Sequence, residues 1–326
     1  MQTLAQRIDV DKPLYDLSTF KGRFQHFAWM TDPRTVVVSS DRLLQAKSLV
    51  DAYRKGEALD TTPDKVKYAM KLYNSAFHPD TGELQNFCGR MSFQVPGGML
   101  ITGGMLAFYR TVPAVVLWQF INQSFNAVVN YTNRNANSPT TVTQLGVSYV
   151  SATSSALIAA IGLKNYWTKK ATPIFQRFVP FAAVAAANCV NIPLMRQNEI
   201  INGIEVKDEN GNVVGKSRTA AVKGISQVVF SRITMAAPGM LILPFIMERV
   251  EKLPIYKRMQ WINAPFQTAL VGCFLLFMVP TACALFPQTC SLNTSTIKRL
   301  EPEFYEEMLE NTKGNVPAKV YFNKGL

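Results

Sequence analysis

Gln119, Asn122, Asn126 and Asn130, with Asn133 beyond them, recur at spacings of three and four residues, which puts five amides on one face of a single helix. Phe120, Phe125, Val128 and Val129 take the opposite side. An amide away from water needs a partner that donates and accepts. The stripe therefore reads as glue between helices, as the wet face of an interfacial helix, or as the lining of a polar path. A second constellation is Asn188-Cys-Val-Asn191-Ile-Pro193-Leu-Met-Arg196-Gln197. Asn188 is the eleventh residue of the 18-residue uncharged run Phe178–Met195 and shares a helical face with Asn191 and Met195. Pro193 has no N–H, so one carbonyl of the preceding turn is left beside those amides. Two amides and a freed carbonyl fit a small polar solute, and packing between helices fits them equally. The third candidate is Arg232, which interrupts another apolar run. An arginine at membrane depth is costly unless paired, so it could hold a solute carboxylate, or it could lie at the interface and snorkel to lipid phosphate. Together these residues offer donors and acceptors for a small polar solute.

Other chemistries find no apparatus. The five cysteines, Cys88, Cys189, Cys273, Cys283 and Cys290, contain no CxxC pair, and the only histidines are His26 and His78. No disulfide framework, metal site or cofactor is expected from so few ligands. Asp80-Thr81-Gly82 matches the aspartic-protease tripeptide, but a single copy after His78-Pro79 reads as a turn, since that chemistry needs two carboxylates. No P-loop, GxGxxG or nucleophile elbow occurs, and no catalytic residue is expected.

The elements that must position the amides follow from charge. Only 17% of the 326 residues are charged, against about 25% in a soluble domain. Residues 1–95 hold 24 charges, residues 288–326 hold 10, and the 192 residues between them hold 22. Reading from charge to charge predicts five spans, near 97–120, 145–163, 178–195, 229–247 and 264–286. The expected fold is all-α, a multi-pass helical membrane protein: a soluble helical segment over 1–95, a bundle over 96–287 and a polar tail over 288–326. Pro113, Pro180, Pro193, Pro238, Pro244 and Pro280 predict broken helices, and the alanines of 182–187 predict close packing. Asn210-Gly211 between Val206 and Val213 predicts a small hairpin.

The net charge of +12 is carried by Lys and Arg lying between long uncharged runs, which points to the lipid bilayer and away from nucleic acid. The 164–177 and 248–263 connections hold eight basic residues, which with five spans puts the N-terminus inside and the C-terminus outside. Asp9, Asp11 and Asp16 argue against a secretory signal or a cleaved presequence.

Several long strings resemble the sideroflexin family: His78-Pro79-Asp80-Thr81-Gly82-Glu83, Asn122-Gln-Ser-Phe-Asn126-Ala, Asn130-Tyr-Thr-Asn-Arg134-Asn, the segment from Phe178 to Gln197, and the ending Tyr321-Phe-Asn-Lys-Gly-Leu326. Gly97-Gly98 and Phe277-Met-Val-Pro280 are nearer that family's type-two branch. The resemblance implies a multi-pass protein of the mitochondrial inner membrane that carries serine, and related small neutral amino acids, for one-carbon metabolism. It also implies an indirect link to iron and haem homeostasis. A non-transporting membrane scaffold or assembly factor is the alternative.

Overall fold

A computed structural model describes residues 8–57, 61–79, 81–133, 141–170, 173–254, 259–312 and 314–325. The expected turn residue Asp80 lies outside the described residues, while the turn around it is closed by His78 N donating to Glu83 O and Gly82 N to His78 O, both at 2.9 Å. Residues 8–93 form a polar unit around α1 (Phe20–Met30), α2 (Ser40–Arg54) and α3 (Pro63–Ala76). Leu43, Val50, Val66, Met70 and Phe77 are its core. Thr19 caps α1, and α3 starts on Pro63, where a missing N–H costs nothing.

Beyond it run α4 (Gln94–Ala107), α5 (Val112–Thr132), α6 (Val142–Lys170), the short α7 (Pro173–Gln176), α8 (Val179–Met195), α9 (Gln197–Asn202), α10 (Arg218–Val250) and α11 (Asn263–Ala284). α6, α10 and α11 are long and apolar enough to cross a bilayer, and α8 is a shorter apolar helix. The chain is thus a helical membrane protein. The stretch expected as one span at 97–120 is instead a hairpin. α4 ends at Phe108, and Thr111, in extended backbone, caps α5 through Ala114 N donating to its Oγ1. Pro113 in the first turn of α5 was the local signal for that restart.

Contacts fix the direction of each leg. Gly98 meets Leu275 and Gly103 meets Thr268, so α4 runs antiparallel to α11 and begins beside the end of α11. At that end Arg23 Nε donates to Ala284 O at 2.8 Å. α5 returns there, with Asn133 Nδ2 donating to Gly89 O at 3.0 Å. At the opposite, lower end Lys164 Nζ reaches Arg110 O at 2.6 Å, and Arg177 pairs with Glu251 at 2.7 Å. Hence α4, α5, α6, α8, α10 and α11 alternate in direction, and the N-terminal unit and C-terminal tail share the upper end. The five-span expectation, which put them on opposite sides, counted 97–120 as one pass, where the helix is divided at 108–111.

Prolines do not break the long helices as expected: α8 continues past Pro193, α10 past Pro238 and Pro244, and α11 past Pro280. The alanine expectation holds, since Ala183 and Ala187 of α8 and Ala152, Ala156 and Ala160 of α6 are fully or nearly fully buried.

The upper end also carries a small sheet, an addition to the expected all-α fold. The predicted hairpin is present as β1 (Ile204–Lys207) and β2 (Val213–Ser217), turning at Gly211 with φ +87°. The tail adds β3 (Thr289–Asn293) and β4 (Lys319–Asn323), giving the order β2-β1-β4-β3. Its apolar face, Val206, Val214, Leu292, Val320 and Phe322, packs on Ile297 of α12 (Thr294–Leu300) and on Phe304 and Met308 of α13 (Pro302–Asn311). Glu301 ties this layer to α10, accepting from Ser217 Oγ and Arg218 N.

Candidate functional site

α5, α6 and α8 frame the candidate site. Near its lower end Val115, Ala160, Val179 and Ala183 form a dry plug, with Leu163 and Trp167 packed against it. At its upper end the three helices meet at Met195. Asn130 Nδ2 donates to Met195 Sδ at 3.2 Å, and Gln144 Nε2 donates to Met195 O at 2.9 Å and Leu194 O at 3.3 Å. Asn198 Nδ2 completes the closure by donating to Gln144 Oε1 at 3.1 Å. Gln144 thereby satisfies carbonyls that the end of α8 leaves without intrahelical partners.

Between plug and closure lies a polar layer. Gln119 and Gln123 are each 2% exposed, one turn apart on the face that continues upward from Val115. Gln119 Oε1, Asn122 Nδ2 and Gln123 Nε2 are buried without a hydrogen-bond partner among the described residues, as are Ser148 Oγ and Thr153 Oγ1 on α6. Gln119 lines a small cleft with Met105, Val115, Trp118 and Pro180. Each buried polar atom left unpaired costs about 1–3 kcal/mol, so five of them make a layer matched to an occupant that both donates and accepts.

The antiparallel registers place the predicted α8 amides at this depth. Ala160 meets Ala183 below and Gln144 meets Met195 above, so Thr153 on α6 stands level with the Asn188 region of α8. Tyr149 OH lies 3.0 Å from Ser124 Oγ, which brings Asn122 on α5 to the same level. Asn191 is buried, while Asn188 Nδ2 turns back onto its own helix, donating to Val184 O at 3.0 Å. Pro193 sits inside α8 and withholds an N–H from Cys189 O. Asn126 is half-buried. Of the opposite side of α5, Phe120 and Val128 are exposed as the lipid face requires, whereas Val129 is buried and Phe125 packs on Phe93. Asn133 belongs to the N-terminal unit, accepting from Gln85 Nε2 at 2.7 Å.

Arg232 lies on α10 rather than in this trio. Phe230 meets Phe286 and Gly239 meets Phe274, so Arg232 stands level with Cys283 of α11. The sequence reading missed Gln123, Ser148 and Thr153, although Gln144, Ser148 and Ala152 at four-residue spacing carried a signal for a polar-to-small stripe on α6. The acids at the two ends of the bundle are already paired, Glu199 with Arg196 and Glu251 with Arg177. Among the described residues no group of three or more His, Cys, Asp or Glu could hold a metal ion.

A family model described as Sideroflexins matches residues 9–326. The chain is 79% identical to Sideroflexin-2 of Drosophila melanogaster over the full length of both. It is 57% identical to Sideroflexin-2 of Homo sapiens over 98% of each chain, and 52% identical to Sideroflexin-1 of Homo sapiens over 99% of each. No solved structure matches it significantly.

Proposed function

The chain belongs to the sideroflexin family, and from that premise we propose that it carries serine, and other small neutral amino acids, across the mitochondrial inner membrane through the α5–α6–α8 polar layer. The observation that carries this reading is the set of five buried amide and hydroxyl atoms on α5 and α6 that have no partner among the described residues. A serine zwitterion supplies what they lack. Its hydroxyl both donates and accepts, its carboxylate accepts from Asn122 Nδ2 and Gln123 Nε2, and its ammonium donates to Gln119 Oε1 and to the carbonyl of Cys189 that Pro193 leaves free. Asn188 and Asn191 flank that carbonyl on α8. The wet closure at Asn130, Gln144 and Asn198 and the dry plug at Val115 and Ala183 then serve as the two gates of an alternating-access carrier. Carriage toward the matrix would feed one-carbon metabolism, with the link to iron and haem following indirectly.

The test is labelled-serine uptake by proteoliposomes containing the purified protein. Saturable uptake above protein-free vesicles is expected. Asn122→Leu should lower it about tenfold, the equivalent of one lost buried hydrogen bond, and Asn188→Leu, whose amide bonds its own helix beside the site, by less, with insertion unchanged. No uptake by the parent protein, or parental rates in both variants, would reject the reading and leave the scaffold alternative.

A further inference from the structure

Lys324 is 3% exposed although it lies one residue beyond β4, in the tail. Its backbone is locked in place. Lys324 N donates to Gln288 O at 3.0 Å, and its carbonyl accepts from Arg196 Nη1 at 2.7 Å. Its Cα lies 3.3 Å from where a side chain on Gly224 would begin, so the glycine lets the tail settle closely on α10 here. Among the described residues its ammonium makes no hydrogen bond and no ion pair.

The groups that act on it are Arg23 and Arg196 and the thiols of Cys283 and Cys290, and burial pushes the ammonium below the ordinary lysine range. Arg23 is occupied by the carbonyls of Ala284, Leu17 and Ser18, and Arg196 by Glu199 and Lys324 O. Arg232, which among the described residues makes no hydrogen bond or ion pair, has Cys283 as a neighbour in common with Lys324. Arg232 stands level with Cys283, and helical side chains lean toward the helix N-terminus, which for α10 is the end where Lys324 enters. Ser231, two turns below Gly224 on the same face, is 8% exposed with its Oγ unpaired.

We propose that Lys324, Arg232 and Ser231 form a phosphate-binding seat at the head of the α10–α11 pair. Two uncompensated cations match the one to two negative charges of a phosphate group, and an ammonium, a guanidinium and a hydroxyl together supply donors to several of its oxygens. The seat does not suit the transported zwitterion. With no carboxylate available to it, the ammonium of an amino acid would face like charge, so the solute belongs in the amide layer and the phosphate here. The source is either a soluble phosphate or an anionic phospholipid headgroup reaching in beside the lipid-exposed Phe230.

The test measures the unfolding midpoint of the full-length protein in detergent. One arm adds sodium phosphate against sodium chloride at equal ionic strength. The other adds cardiolipin micelles against phosphatidylcholine, whose own ammonium neutralises its phosphate. At least one phosphate source should raise the midpoint by about 5 °C, and the arm that responds names the source. Lys324→Gln and Arg232→Gln should each remove most of that rise. Lys324→Arg and the exposed control Lys319→Gln should keep it. If Lys324→Gln does not fold, native mass spectrometry of the Arg232→Gln protein should show bound phosphate or phospholipid lost relative to the parent. A parent midpoint unmoved in both arms, or a full rise retained by Arg232→Gln, overturns the proposal.

Discussion

The six helices α4, α5, α6, α8, α10 and α11 divide into two groups of three that share an environment and treat polar side chains differently. In α4, α10 and α11 the interior is Val95, Met105, Leu106, Met240, Leu243, Val271, Leu275 and Val279. Two polar groups on α11 turn back on their own helix: Gln267 Nε2 donates to Asn263 Oδ1, and Thr281 Oγ1 donates to Phe277 O at 2.6 Å. Glycines allow close approach, with Gly103 lying against Thr268 and Gly272 against Met99. In α5, α6 and α8 the alanines provide the same closeness, but five polar atoms stay buried and unpaired. Hydropathy does not separate the two groups. What separates them is how many buried polar atoms lack a partner among the described residues, five on α5 and α6 against Ser231 Oγ on α10, and such an excess is the physical mark of a part that binds.

Breaking the division into three and three would have the largest effect, since the outcome is all or none. The described lower connections carry Arg110, Lys164, Arg177, Arg249 and Lys252, so the lower end is expected to face the matrix and both termini the intermembrane space. Protease added to mitoplasts should then clip tags at both ends. Clipping of one tag alone would restore the single span at 97–120 and dissolve the symmetry. Next in size is an attack on the apolar group. Gly103→Val puts its Cβ against the Thr268 side chain and 2.8 Å from the Thr268 Cα, where backbone must move. A destabilisation of about 3 kcal/mol is expected, visible as loss of folded protein in fluorescence-detected size exclusion. Normal accumulation would show that the α4–α11 contact is looser than described. The smallest effect sharpens the contrast. Gln123→Leu should leave the unfolding midpoint unchanged or raise it, by about 1 kcal/mol, because it removes an unpaired amide, yet it should depress serine uptake. Gln267→Leu should cost under about 1 kcal/mol and leave uptake alone, since its partner is on its own helix. The same response from both glutamines would erase the distinction.

How much of this was legible in advance varies with the range of the interaction. The stripe on α5 was readable because helical periodicity is local, and Gln119 and Asn122 do reach the interior. The hairpin at 108–111 was signalled by Thr111 and Pro113 but masked by counting from charge to charge, which ran the span on through Phe108 to Phe120. Gln123 was passed over because a second buried amide face on the same helix is decided by its neighbours, not by its own period.

Local chemistry, written into the order of residues, determined that this chain is helical, crosses a membrane, carries amides at helical spacing and turns at Asn210-Gly211. Only the tertiary structure decided that Thr289–Asn293 pairs with Lys319–Asn323 and joins a hairpin more than seventy residues upstream. It alone decided that the N-terminal unit and the C-terminal tail meet at one end, and that the lysine of a polar tail is buried on Gly224. Backbone pairing between distant strands and the burial of a charged side chain depend on which surfaces the fold brings together. A polar tail with alternating apolar residues has the same composition whether it is solvated or laid across the head of a helix.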